Sequence, residues 1–393
     1  MTASAAPPNF GAALREEWPL DPAVIYLNHG GYGVTPHAVL AEQAEWRARI
    51  ERNPSGFMTR EYATALRRAA AELAAFVGAR PEDLAFVENA TAGCNAVLRS
   101  LDFRPGDEIL TTDLAYGAVR KAIRYAAQRG GATVVEVEIP LPLPDVAALV
   151  DAVAARLGPR TRLAIFDHVA SHSALVLPVA ELARRAHAVG ARVLIDGAHA
   201  PGLVPLDVPA SGADWYVGNC HKWLMAPRSC GFLWAVPEVQ GLVHPLSISH
   251  GYGTGFTAEF EWTGTRDPTP FFSVPAAIAF HRRLGGRRLM TRNTWLAREA
   301  ARLLADAWGA VPSGPAASCA AMAALRLPLA AAATPDHAAA VQRGLAEDHK
   351  IEVAAFAHRG ALWLRVAAQA YNELADYDRL ARIFPVTRSE AKG

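Results

Sequence analysis

Residues 192–222 read RVLIDGAHAPGLVPLDVPASGADWYVGNCHK. Two short apolar runs, 192–196 and 214–217, each end on polar side chains. The first closes on Asp196-Gly197-Ala198-His199, the second on Gly218-Asn219-Cys220-His221-Lys222. Such runs are too short for helices, and their β-branched and aromatic content reads as buried strand.

Working outward, similar runs occur at 84–87, 108–112, 133–138, 163–167 and 230–235. Between the earlier ones lie segments of helical period at 115–129, 145–157 and 179–189. In the last, Leu182, Ala183, Ala186 and Val189 share one stripe, and Gly190 is a stop signal. Seven strands with crossover helices predict an α/β domain with a mostly parallel sheet. After about 270 the pattern changes. A long helix is expected over 271–307, broken near Gly285-Gly286, then a helix at 335–348, strands at 350–356 and 361–366, and a helix at 373–383. The expected division is therefore an N-terminal segment, 1–50, packing on the main domains; a large α/β domain, 51–270; and a smaller α+β domain, 271–393. Which domain receives the N-terminal segment is open from the sequence.

Composition narrows the function classes. The 393 residues are 51% apolar, enough for a sizeable core. The net charge of +1 gives no electrostatic case for nucleic acid or a membrane surface. The first eight residues lack a basic segment followed by an apolar run, so they do not read as a signal peptide. No apolar stretch suggests a membrane span. The four cysteines have no CxxC or metal-type spacing, which fits free thiols in a reducing cytoplasm and no metal site.

The chemistry collects at strand ends. After 84–87 come Glu88-Asn89-Ala90-Thr91-Ala92-Gly93; after 108–112, Asp113 to Tyr116; after 163–165, Asp167-His168-Val169-Ala170-Ser171. With the two ends quoted first, five successive strands carry polar, reactive residues where open α/β sheets bind ligands. Each piece has a plain alternative. The Asn89–Gly93 stretch opens a helix whose free N–H groups suit a phosphate, or it is a simple N-cap. Asp196 ends a buried strand, so it needs backbone donors or a cationic ring nitrogen. Lys222 precedes Trp223-Leu224-Met225 and is either a solvated surface lysine or, in apolar surroundings, a nucleophile for carbonyls. Tyr116 is either packing or a face for a flat cofactor. His199 is either a core histidine or a partner of Asp196.

Together, Ile195-Asp196-Gly197-Ala198-His199 and Asn219-Cys220-His221-Lys222, with Lys222 placed 26 residues after Asp196, resemble class V aminotransferase-type enzymes of fold type I, which depend on pyridoxal 5′-phosphate (PLP). A closer likeness is to the isopenicillin N epimerase branch. It rests on Tyr26-Leu27-Asn28-His29-Gly30-Gly31-Tyr32-Gly33, Asp167-His168-Val169-Ala170-Ser171, Trp262-Thr263-Gly264-Thr265-Arg266-Asp267, and Leu364-Arg365-Val366 followed by Tyr371-Asn372. It covers about residues 20–385.

The resemblance implies roles. Lys222 would carry PLP as a Schiff base and later move the Cα proton. Asp196 would pair with the pyridine nitrogen, making the ring an electron sink. His199 would lie near the phenolic oxygen and Tyr116 on the ring face. Ala90, Thr91 and His221 would hold the phosphate, with Asn89, Ser171 and Asn219 beside the cofactor. Thr265 would reach the phosphate of a neighbouring subunit, which implies a homodimer with shared sites. Arg365 would clamp the α-carboxylate of an amino-acid substrate. Asn28, His29 and Tyr32 would line the substrate mouth. His172 departs from the branch pattern and reads as an extra acid/base or a surface group.

Three reactions remain open. Epimerisation needs a second base opposite Lys222, from Tyr32, His29 or His172. Carbon–sulfur lysis needs only Lys222 and a leaving group; transamination needs Lys222 to reprotonate the cofactor. The resemblance favours epimerisation. Persulfide-forming desulfuration is disfavoured, because no cysteine follows Cys319. A non-catalytic binding protein on this fold is the alternative of another class, and keeping Asp196, His199, Lys222 and Arg365 speaks against it. A nucleotide-binding protein would need a GxGxxG or GxxxxGK[ST] motif after a strand, and the sequence has none there.

Overall fold

The computed structural model describes residues 10–329 and 331–390, with side chains as far as residue 383. The N-terminal octapeptide read above lies outside the described residues. Among the described residues thirteen strands occur in chain order: β1 (Ile25–Tyr26), β2 (Leu84–Val87), β3 (Glu108–Thr112), β4 (Thr133–Val137), β5 (Thr161–Asp167), β6 (Arg192–Gly197), β7 (Trp215–Asn219), β8 (Gly231–Ala235), β9 (Val311–Pro312), β10 (Met322–Arg326), β11 (Ile351–Glu352), β12 (Ala354–His358) and β13 (Ala361–Ala367).

All seven expected strands form one sheet, in the order β2-β8-β7-β6-β5-β3-β4. β8 runs antiparallel to both its neighbours, and the remaining pairs are parallel. Residues of β6, β7 and β8 are buried on both faces, which is why they read as unbroken apolar runs. Alternation sorts the side chains. Leu194 and Val217 face the layer of helices Ala90–Ser100 and Gly117–Gly130, with Cys94, Val97 and Ile123. Val193, Ile195 and Tyr216 face the layer of helices Tyr62–Val77 and Val179–His187, with Leu66, Leu73, Leu182 and Ala186. Because β2, β3, β5, β6 and β7 run the same way, their carboxyl ends open on one edge.

The helix expected over 145–157 is shorter, Val146–Ala154, and the Asp145 side chain caps it by accepting from Ala148 N at 2.8 Å. The helix expected over 271–307 is three helices, Thr269–Phe272, Val274–Arg283 and Arg287–Trp308. Its main break is where expected, at Gly285-Gly286, both with positive φ. Val274, Ala277 and Ile278 belong to the core of the large sheet. From Leu296 onward the packing changes partner. Leu296, Leu304 and Trp308 pack with Leu325, Leu364, Val366 and Tyr377 against the antiparallel sheet β12-β13-β10-β9. Trp308 Nε1 donates to Ala381 O at 3.0 Å, tying this helix to helix Leu374–Glu390.

The N-terminal segment packs both ways. β1 pairs with β11, Ile25 opposite Ile351, and Leu27 sits in the second core. Val34, Val39 and Ile50 join the first. The 28–33 stretch therefore crosses from one body to the other, directly over the open edge of the large sheet.

Candidate active site

A cavity of ≈ 420 Å³ occupies that edge. It lies within the roughly 300–1,000 Å³ usual for small-molecule sites. Its wall includes Asn89, Ala90, Thr91, Tyr116, Asp167, Ser171, Asp196, His199, Asn219, His221 and Lys222, one group from each of the five strand ends singled out in the sequence.

Lys222 is the centre. Burial brings its amine down to about 8, and the Arg365 charge adds to this against the opposing pull of Asp196 and Asp167. Its Nζ lies 3.1 Å from His199 Nε2. Asp196 and Asp167 are register partners at the ends of β6 and β5. Asp196 accepts from Ala198 N at 2.9 Å, and burial raises its carboxyl. Asp167 is pushed well above the carboxylate range by burial and by Asp196, and its Oδ2 has no hydrogen-bond partner. Neither acid is in an ion pair among the described residues, so Lys222 is the only cation acting on both.

Helix Ala90–Ser100 starts at the cavity. Asn89 Oδ1 accepts from Ala92 N (2.9 Å) and Asn219 Oδ1 accepts from Ala90 N (2.8 Å). These two asparagines thus aim the helix start, with Thr91 left at the wall. His221 Nδ1 donates to Cys230 O at 3.0 Å. A carbonyl only accepts, so Nδ1 carries the proton and Nε2 can hold an anion only when the ring is charged. Burial lowers this histidine to about 4, and a bound anion would oppose that shift.

Arg365 is 4% exposed and lies on β13 of the second sheet. Its Nη1 donates to the carbonyl of Ser171, and its Nη2 donates to Asn28 Oδ1 at 2.8 Å. Its Nε has no partner, and no carboxylate pairs with it among the described residues. Burial brings it down to about 10.

Not every expected residue faces the cavity. His29 is fully buried, and its Nε2 donates to Lys222 O at 3.1 Å while Nδ1 accepts from Tyr371 Oη at 2.9 Å. It is a strut under the lysine turn, not a wall of the mouth, because both its nitrogens are taken. Asn28 orients Arg365 and is not among the wall residues. Tyr32 is at the rim, 71% exposed. His172 stacks on Phe356 at 4.6 Å between centroids, off the cavity. Thr265 is exposed and off the wall of its own chain's cavity. Gly33, φ +67, is required because a Cβ there would meet His221 O at 1.9 Å. Sequence reasoning passed over Arg228 and Ser229 at the mouth, and counted Asp167 among the strand-end residues without giving it a role. For Asp167 the signal was present: a carboxylate at a buried strand end beside Asp196.

These residues fit PLP. An amine of lowered pKa suits an aldehyde, unpaired buried carboxylates suit a ring cation, a helix start suits a phosphate, and Tyr116, 42% exposed, offers a face for a ring. The described cysteines Cys94, Cys220, Cys230 and Cys319 are buried and free, and burial pushes Cys319 up to about 11. No group of three or more metal-type side chains comes together among the described residues.

The class V aminotransferase family model matches residues 25–370. An isopenicillin N epimerase of Amycolatopsis lactamdurans is 35% identical, covering 94% of this chain and 96% of its own. A putative L-cysteine desulfhydrase of Oryza sativa subsp. japonica is 32% identical, covering 91% and 82%. The solved structure of a C-DES mutant, with glycine covalently linked to its PLP cofactor, superposes with a TM-score of 0.82 at 24% identity over 94% of this chain and 98% of that one. The chain belongs to the class V aminotransferase family of PLP-dependent enzymes and has the fold type I architecture of that family.

Proposed function

We propose that this enzyme acts at the Cα of an amino acid, anchoring its cofactor on Lys222. The observation that carries the substrate class is Arg365. A fully buried guanidinium with an unpartnered nitrogen and no counter-charge is costly unless an anion joins it. It lies off the wall itself but donates to Ser171, a wall residue, and the anion it would take from the cavity is the α-carboxylate. Asn28 and Ser171 hold the guanidinium plane.

PLP, when bound, supplies an electron sink for charge developing at Cα. Around it, Thr91 and His221 would hold the phosphate, Asp196 would face the ring nitrogen, and Tyr116 would cover one face. Lys222 Nζ takes and returns the Cα proton, since it is the amine that a buried, uncharged setting favours.

Epimerisation is the main reading. Of the three side chains considered for the opposite face, His29 and His172 do not reach the wall, which leaves Tyr32. The same observation favours carbon–sulfur lysis as second reading, because that reaction needs no second base. Thr265, exposed and away from its own cavity, is read as completing the site of a second copy. The four buried free thiols fit a reducing cytoplasm. The division is read as an N-terminal segment, 1–50, a large domain, 51–270, and a smaller domain, 271–393, with the helices passing from the first core to the second between Leu289 and Leu296.

The test is the near-ultraviolet and visible spectrum of the purified protein with PLP. A band that borohydride bleaches, with the label mapping to Lys222 and absent in Lys222→Ala, is expected. No band after incubation with PLP refutes the reading. Incubation of an amino-acid panel in D₂O then separates the reactions: inversion with deuterium at Cα for epimerisation, sulfide and ammonia release for lysis.

A further inference from the structure

His199 has contacts on both ring nitrogens, and together they leave one proton arrangement. Trp223 Nε1 lies 3.3 Å from His199 Nδ1, and Lys222 Nζ lies 3.1 Å from His199 Nε2. An indole N–H only donates, so Nδ1 is the bare nitrogen. A neutral imidazole carries one proton, which is then on Nε2 and aimed at Lys222. An ammonium has no lone pair to receive it, whereas a free amine has one. We propose that Trp223 is a positioning residue whose indole N–H selects the Nε2–H tautomer of His199, and that this tautomer holds Lys222 as a free amine by donating to Nζ.

The surroundings keep the chain rigid. Trp223 is 1% exposed and packs with Leu203, Met322 and Trp363. The His29 ring lies 5.1 Å from it. A Cβ on Gly30 would come within 3.3 Å of the indole and 3.6 Å of the His199 ring, so the 28–33 loop closes on both. His199 is buried, and its pKa falls well below the ordinary value through burial, Lys222, Arg365, His221 and His172. Asp196 and Asp167 pull Lys222 the other way. A protonated His199 would set an N–H against the indole N–H, so Trp223 also excludes the charged ring. When the amine moves away, the Nε2–H stays aimed into the cavity as a fixed donor.

The catalytic meaning of this chain rests on the reading of Lys222 as the reactive amine; the proton arrangement does not. The experiment uses the full-length apo protein. Nitrogen-15 correlation spectra of the His199 ring in wild type should show the Nε2–H tautomer. NMR titration of Lys222 should show a midpoint of about 8, below that of an ordinary lysine. In Trp223→Phe the tautomer preference should be lost. The Lys222 midpoint should rise by about one unit, the shift that loss of one ordinary hydrogen bond gives. Wild-type spectra with Nδ1–H or a doubly protonated ring overturn the proposal even if the variant does not fold. So does a folded Trp223→Phe with unchanged tautomer and midpoint. If the tautomer is as proposed but no PLP attaches to Lys222, the functional reading fails and this inference stands.

Discussion

Two loops meet at Lys222, and their histidines have different work. In the turn after β7, and in the one after β6, side chains point into the cavity: Asn219, His221, Lys222, Asp196 and His199 all line it. In the 28–33 loop only Gly31 and Tyr32 do. His199 and His29 are both buried, and burial lowers the pKa of both, His29 to about 4. His199 touches the lysine amine, while His29 holds the lysine carbonyl and Tyr371. The same residue type at the same lysine thus serves chemistry on one side and architecture on the other. What separates them is the partner on Nε2, the lysine amine for His199 and the lysine carbonyl for His29. A perturbed pKa alone does not tell a working group from a strut.

The sharpest test of the strand-end side is Asp196→Asn. The carboxylate would be the charge that opposes a ring cation, and its loss should lower kcat/KM by about 10²–10³-fold in steady-state assays. Unchanged activity would break the assignment of that edge as the catalytic side. Next, Arg365→Lys should raise KM roughly 10–100-fold with a smaller change in kcat. A point charge cannot keep the bonds to Ser171 and Asn28 and still clamp a carboxylate bidentately. A change in kcat alone would move Arg365 out of substrate binding.

The rate at which the apo protein captures PLP should depend on pH through Lys222. Capture needs the free amine, and burial followed by Arg365 brings this lysine down to about 8. The rate, followed by absorbance, should therefore climb about tenfold per unit below that value and flatten above it. A rate still climbing tenfold per unit toward the ordinary lysine range would show that burial and Arg365 do not depress this amine. The smallest effect on chemistry is expected on the other side of the comparison. His29→Leu leaves Tyr371 Oη and Lys222 O unpaired and should cost about 2 kcal/mol of stability in chemical unfolding. Activity per folded molecule should fall only several-fold. A loss matching that of Asp196→Asn would return His29 to the catalytic set.

Much of the site was legible before the fold was known, and the reason is local. The inner strands of the large sheet were readable as apolar runs because they are buried on both faces, and the edge strand β4, partly exposed, by its β-branched residues. The polar residues after each run were readable as one site because parallel strands bring their carboxyl ends to one edge whatever the length of the connections. That Asp196, His199 and Lys222 share one site follows from that rule, while their spacing was read through the resemblance. The role of His29 was not legible, since its partner Tyr371 is 342 residues away. Nor was the role of Trp223: its place next to Lys222 says nothing of a bond to a histidine 24 positions earlier. Arg365 could be named only by resemblance, and its lack of a counter-charge emerges only when the second sheet is packed on the first.

The sequence by itself thus determined the sheet, its order of reactive strand ends and the lysine at its centre, because burial and strand direction act through neighbours along the chain. Only the tertiary structure decided which nitrogen of each histidine carries a proton, which asparagine aims a helix and which guanidinium stays unpaired. Hydrogen bonds are short and directional, and their partners here come from segments that only packing brings together.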